Sequence, residues 1–185
     1  MRSYRKEEIP VADSRKYLEP TPVVLVSSRY KSETNIMSMG WYTIMEFVPS
    51  LVGCMITGAN HSYELIRKSK ECVINIPTAN MLETIVGIGN TTGGKLDKFR
   101  KFGLTPEAGK TVSAPIVREC YAHFECHLYD AQMLDTYNFF IFEIRRALVS
   151  VYPKYPKTVH YRGDGEFMIA GKNTSIPEKW RPQGK

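Results

Sequence analysis

Nothing in these 185 residues is long and apolar enough to span a bilayer. The longest apolar runs, 138–144 and 50–56, are strand length, well short of the ~18 residues a membrane helix needs. The opening stretch, MRSYRKEEIPVADSRKY, carries charge but no apolar core of a secretory signal. A cytoplasmic protein with no membrane partner is therefore expected. There is no nucleophile elbow, no Walker loop, no paired-histidine zinc motif and no G-x-G-x-x-G fingerprint, so several hydrolase, nucleotide-triphosphate and Rossmann readings drop out. Repeats at solenoid periods and heptads are missing too. Cysteine is sparse, with four residues, and in such a compartment thiols stay reduced.

Those cysteines invite a metal reading at one place, because Cys120, His123, Cys126 and His127 fall within eight residues. The stretch CYAHFECHLYD is strand-like, however, and successive side chains on a strand point to opposite faces. Cys120 and Cys126 would share one face and His123 and His127 the other, so the four cannot surround one ion. No metal site is expected.

What is present bounds the rest. At 43% hydrophobic and 24% charged residues the chain is neither low-complexity nor disordered. Its length suits one domain with a core that needs no staple. A polar arm over residues 1–20 ends at Pro20 and Pro22, and a domain over 21–185 follows. Lys and Arg outnumber Asp and Glu by 25 to 19, which suits an anionic partner such as a phosphate-bearing cofactor or an acidic protein. The basic residues are densest at 95–101 and 154–157, and neither stretch has the stacking platform of a nucleic-acid site. A nucleic-acid partner is not expected.

Patterning along the chain is mostly β. VVLVSS (23–28) reads as a buried strand, and KSETN as a turn. NIMSMGWYTIMEFVPSLVGCMIT carries two further strands broken at Pro49 and Ser50. NHSYELIRKS is a first helix, with Ser62 its best cap. ECVINIP is a strand, NMLETIVGIG a second helix, and KLDKFRKFG a short helical turn closed by Gly103. Two long strands follow over 114–134 and 136–152, joined by a turn near Asp135. In the second, Phe140, Phe142 and Ile144 alternate with Ile141, Glu143 and Arg145. TVHYRGDGEFMIA is a hairpin turning at 163–165. About seven strands with two modest helices predict an antiparallel barrel or sandwich, not a parallel sheet.

Three segments could carry chemistry. In NIMSMGWYT (35–43), Asn35, Ser38 and Gly40 alternate with polarizable Met37 and Met39 and lead to Trp41. Edge-strand amides there can bond the heteroatoms of a flat ring while Met and Trp cover its faces. The same pattern also describes one face of an ordinary core strand. TGANHS (57–62), at a helix start, offers hydroxyls and free N–H groups to an anion, or simply an N-cap. In GGKLDKF, Lys95 or Lys98 can meet a phosphate or be plainly solvated. Together they suit a phosphorylated planar cofactor.

At this point NIMSMGWYT, LVGCMITGANHSYELIRKSKECVINIP, GIGNTTGGKLDKFRKFGLTP and HYRGDGEF, in that order from about Pro20 to Phe167, resemble the flavin reductase-like, FMN-binding split-barrel family, and within it the flavoredoxin branch. The resemblance implies a mainly β fold: an antiparallel Greek-key split β-barrel with a few inserted helices, forming a homodimer with FMN near the interface. It implies redox chemistry carried by the flavin, with no catalytic side chain. Asn35, Met37 and Ser38 would line the ring, with Ile36 and Met39 completing the block and Trp41 packing close. Thr57, Asn60 and Ser62 would hold the ribityl chain and phosphate. Lys98 would meet the anionic side of FMN, and His160 and Phe167 would close the site. The family's Ser-Gly-Arg-like loop is TTGGKLDKF here, so its arginine is replaced by Lys95 or has no counterpart. Three functions then compete. One is an FMN-dependent NAD(P)H:flavin oxidoreductase, fed by NAD(P)H or a redox protein and delivering electrons to a flavin or small acceptor. The others are a flavoredoxin-type carrier without NAD(P)H turnover and a cofactor-free binding module.

Overall fold

VVLVSS is an unbroken apolar run because both of its faces are covered. In the computed structural model, which describes residues 5–19 and 21–176, it opens β1 (Val24–Tyr30), a strand in the middle of the fold. Val24 and Val26 face the main core with Met37, Cys54, Ile74, Phe140 and Phe142, while Val23 and Leu25 face a second core with Ile36, Ile85, Ile88, Phe99 and Val159. A strand buried on both sides gains apolar burial from every residue and shows no alternation.

Seven antiparallel strands make the main sheet. With β2 (Glu33–Met39), β3 (Tyr42–Glu46), β4 (Leu51–Met55), β5 (Glu71–Ile76), β8 (Ala122–Asp130) and β9 (Phe139–Val149), the order is β2-β1-β5-β8-β9-β4-β3. The two outer strands are neighbours in sequence, joined through Gly40 and Trp41. The sheet thus curls back on itself without a ladder across the seam, giving an antiparallel split barrel. The inside is filled by the inward positions of each strand. Phe140 and Phe142 stack at 5.6 Å, and Tyr63 meets Phe140 edge-on at 5.5 Å.

Short helices decorate the outside: α1 (Arg15–Leu18), α2 (His61–Ser69), α3 (Leu82–Gly89), α4 (Lys98–Lys101) and α5 (Leu134–Tyr137). Two small ladders complete the fold. One pairs β6 (Pro106–Glu107) with β7 (Ile116–Val117), and the other is the hairpin of β10 (Val159–Gly163) and β11 (Glu166–Ile169). The hairpin turn needs left-handed backbone at Gly163, Asp164 and Gly165, two of which are glycine. Among the described residues, no helix is long and apolar enough to cross a membrane.

The sequence expectation differs in five places, the first being KSETN, of which only Lys31 and Ser32 turn while Glu33 already opens β2. NIMSMGWYTIMEFVPSLVGCMIT holds three strands, not two, because the chain turns at Gly40–Trp41, where Thr21 Oγ1 donates to the Gly40 carbonyl and Tyr42 Oη to that of Pro22. The 114–134 stretch is split, with β8 starting only at Ala122. The turn near Asp135 is α5, which ends at Asn138 in left-handed conformation. The N-cap of α2 is Asn60, and Ser62 lies inside the helix. Pro20, expected to help end the arm, lies outside the described residues, as do 1–4 and 177–185.

Candidate functional site

β2 is an edge strand, so one row of its backbone groups has no ladder partner. Beside it the chain encloses two cavities. The first, of about 440 Å³, is lined by Val23, Ser38, Met39, Trp41, Ile85 and Phe167, together with Glu19, Thr21 and Tyr161. The second, of about 340 Å³, is lined by Asn35, Met37, Asn60, His61, Thr91, Thr92 and Lys98. Gly89 and Asn90 at the end of α3 line both. The two cavities therefore meet and form one groove along β2, apolar and aromatic at one end and polar at the other.

Local sequence explains each wall. On β2, Asn35, Met37 and Met39 project to one face and Ile36 and Ser38 to the other, as the period of two requires. The Asn35 amide donates to Ser62 Oγ at 2.9 Å, and Ser28 Oγ lies 3.3 Å from the same hydroxyl. On the other face, Ser38 Oγ donates to the Ile85 carbonyl at 2.7 Å, pinning α3 against the strand. The 92–94 loop can close on this wall because it is Gly93–Gly94. A Cβ on Gly93 would overlap the Asn35 amide, and one on Gly94 would sit 3.3 Å from His61 Nδ1.

Lys98 is the charged group of the polar end. It is 5% exposed, and its ammonium donates to the Ile88 carbonyl at 2.9 Å. Burial lowers its pKa from the usual lysine range. The α4 turn that carries it is capped by Asp97, whose carboxylate accepts from the Arg100 N–H at 3.1 Å. A nearly buried ammonium with one of its three hydrogens committed has donors left for an anion.

The apolar end is closed from two sides. Trp41, 47% exposed, donates its indole N–H to Glu19. Glu19 is also paired with Arg15 at 3.2 Å. From α1, Lys16 reaches Asp164 in the hairpin turn at 2.6 Å, and Arg15 approaches the same carboxylate at 3.7 Å. Tyr161 and Phe167, on the hairpin itself, lie 5.0 Å apart.

The groove brings together Asn35, Met37, Ser38, Met39, Trp41, Asn60, Lys98 and Phe167 from the residues singled out in the sequence. Ile36 is fully buried in the second core and presents no side chain to the groove. Ser62 is likewise fully buried, reaching the site only through Asn35. Thr57 is exposed and lines neither cavity, its hydroxyl accepting from the Ala59 N–H at 3.4 Å. His160 lines neither, lying in a bridge opposite Pro22 with Nε2 3.0 Å from Thr158 Oγ1. Sequence reasoning missed His61, Asn90, Thr91 and Thr92. The glycines flanking NTT were the available signal, since they mark a loop that must approach another backbone closely. Away from the groove, His123 Nδ1 lies 2.9 Å from Asn75 Oδ1 and Cys126 is in the main core. Among the described residues, no three His, Cys, Asp or Glu side chains cluster as metal ligands would.

Three comparisons bear on this groove. The family model described as the flavin reductase like domain matches residues 16–164. An uncharacterized protein of Pyrococcus abyssi is 31% identical over 124 residues, covering 67% of this chain and 71% of that one. The structure of the flavoredoxin of Desulfovibrio vulgaris (Miyazaki F) is similar with a TM-score of 0.77 at 27% identity, covering 86% of this chain and 92% of that one. The flavoredoxin structure from Methanosarcina acetivorans has a TM-score of 0.80 at 22% identity and covers 95% and 97%, a likeness of fold.

Proposed function

The chain belongs to the flavin reductase-like family, and on that premise we propose that it is an FMN-binding oxidoreductase that takes electrons from NAD(P)H or a redox protein. One observation carries this reading: a single groove runs from an aromatic, apolar end at Met39, Trp41 and Phe167 to a polar end at Asn60, Thr91, Thr92 and Lys98. Such a groove fits a flat ring joined to a hydroxylated chain and a phosphate. The glycine pair at 93–94 supports the fit, because side chains there would fill the cleft at Asn35 and His61.

Bound FMN supplies the electron-transfer chemistry through its ring. The protein's part is to hold, orient and shield. Ser38 and the free edge of β2 are placed to meet the polar rim of the ring. Met37 and Met39, packed into the main core, back this wall of the groove, and Trp41 and Phe167 would exclude water from the outer end. Asn35, fixed by Ser62, faces the chain, with Asn60, Thr91 and Thr92 around it. Lys98, an ammonium in a low-dielectric wall, attracts the phosphate more strongly than an exposed lysine would. Thr57 and His160 have no direct part in this arrangement. The net charge of +6 favours docking of an acidic donor or acceptor protein. β3 and the turn after it present Ile44, Met45, Phe47 and Val48 to solvent, an apolar strip that a second copy would cover in a homodimer.

Reconstitution tests the reading. Protein freed of ligand and titrated with FMN should quench flavin fluorescence with saturation at one equivalent per chain. Anaerobic NADPH or NADH should then bleach the flavin bands. Failure to take up FMN overturns the proposal. Uptake without bleaching by either nucleotide, but with bleaching by a reduced ferredoxin-like protein, selects the flavoredoxin-type carrier instead.

A further inference from the structure

His61 stands in the polar end of the groove without a role in the arrangement above. It opens α2, lines the same cavity as Lys98, and its Nε2 lies 2.5 Å from Glu33 Oε1 at the start of β2. Glu33 and Asn35 are two residues apart on one strand, so their side chains project to the same face. A carboxylate can only accept, so Nε2 carries the hydrogen in this contact. The tautomer is thereby fixed, and Nδ1 becomes the atom that changes with protonation. Nδ1 faces the glycine loop, 3.3 Å from where a Cβ on Gly94 would sit.

We propose that His61, positioned by Glu33, is a protonation-controlled reader of the FMN phosphate, tightening the hold on the cofactor when charged and releasing it when neutral. The inference rests on the FMN reading of the groove. When the imidazole is charged, Nδ1–H donates a charge-assisted bond to a phosphate oxygen. When it is neutral, Nδ1 presents a lone pair to the same oxygen and repels it. Glu33 and Lys98 are the charged side chains that face it, from β2 and from across the cavity. The 89–93 segment contributes no ionisable side chain, and on α2 itself Glu64 is exposed and pairs with Lys68 at 3.5 Å. Among the described lining residues, His61 and Lys98 are the two that can carry charge. Of the two, the imidazole is the kind of group whose ordinary range spans neutral pH, and the Lys98 ammonium is already bonded to the Ile88 carbonyl.

The test compares FMN with riboflavin, which lacks the phosphate, by fluorescence quenching from about pH 6 to about pH 8.5, the span over which imidazoles discharge. Wild-type protein should lose roughly tenfold in FMN affinity across this span, the worth of one charge-assisted bond. Riboflavin affinity should stay level. The phosphate's own second ionisation, near pH 6, adds negative charge as pH rises and would push FMN affinity the other way. His61→Gln should flatten the FMN profile at the weak limit, and His61→Arg should flatten it at the tight limit. Glu33→Gln, which no longer fixes the tautomer, should shrink the FMN profile while riboflavin affinity stays level, a difference that mere loosening of the fold would not give. A pH profile for His61→Gln that matches wild type overturns the proposal. Binding of neither flavin overturns the functional reading itself.

Discussion

Two of the polar clusters among the described residues are built from the same kinds of atom to opposite effect. In the first, Glu125 is fully buried on β8 and accepts from the Lys110 N–H at 3.1 Å, the Thr111 N–H at 2.6 Å, Thr111 Oγ1 at 2.7 Å and Arg146 Nη1 at 2.5 Å. Its lone pairs are spent on one loop and one neighbouring strand. Burial alone would push this carboxyl up, but the bonds from Thr111, Lys110 and Arg146 outweigh it and hold the pKa at about 2. In the second, Lys98, Asn35 and His61 each have one partner within the fold and border a cavity. The difference separates a polar group that secures the fold from one that awaits a ligand. A saturated cluster closes on itself, whereas a binding cluster keeps donors in reserve.

The comparison can be broken most forcefully at Glu125. Glu125→Ala leaves Arg146 and the Lys110 and Thr111 N–H groups without this acceptor and should cost about 3–5 kcal/mol in urea unfolding. FMN affinity of the protein that remains folded should be unchanged. The pH dependence follows from the same group. Its folded pKa of about 2 lies below the unfolded value, so its contribution is complete above about pH 4.5 and fades as pH falls toward 2. The Glu125→Gln variant should lose this part of the acid-induced fall in stability. A variant that unfolds like wild type would place Glu125 outside the fold's support.

Lys98→Met should give the reverse pattern. FMN affinity should fall by about 10- to 100-fold, the range for losing a hydrogen bond to a charged group. Stability of the ligand-free protein should move much less than for Glu125→Ala, since an expensive buried charge goes with it. Equal FMN affinity in wild type and variant would remove Lys98 from the site. Gly93→Ala sharpens the contrast at the smallest scale. The added methyl meets the Asn35 amide, and displacing that wall should cost about 1–3 kcal/mol. That cost should appear in thermal unfolding and as weaker binding of FMN and riboflavin alike.

The sequence made the walls of the groove readable where one segment supplies them. NIMSMGWYT shows its alternation directly, and Asn35, Ser38 and Trp41 follow from it. The buried character of 23–28 was equally plain, since an unbroken β-branched run needs cover on both faces. What escaped depends on segments distant in sequence. The corner at Gly40–Trp41 carries no proline or Asn-Gly signal, and its cause is Thr21 and Pro22 clasping it from the segment just before β1. His61 looked like any polar residue at a helix start, because Glu33, its partner, lies 28 residues earlier. Ser62 was read as a ligand contact for its hydroxyl, yet the helix turns it inward to Asn35. Hydroxyls advertise hydrogen bonding but not the direction in which it is spent.

The ties from Arg15 and Lys16 to Asp164 have a consequence for how the chain is made. α1 meets Asp164 only once the hairpin of β10 and β11 has been made, whereas Glu19 at its end can already hold Trp41. This side of the mouth therefore closes late in synthesis, and the cofactor has until the hairpin is made to enter.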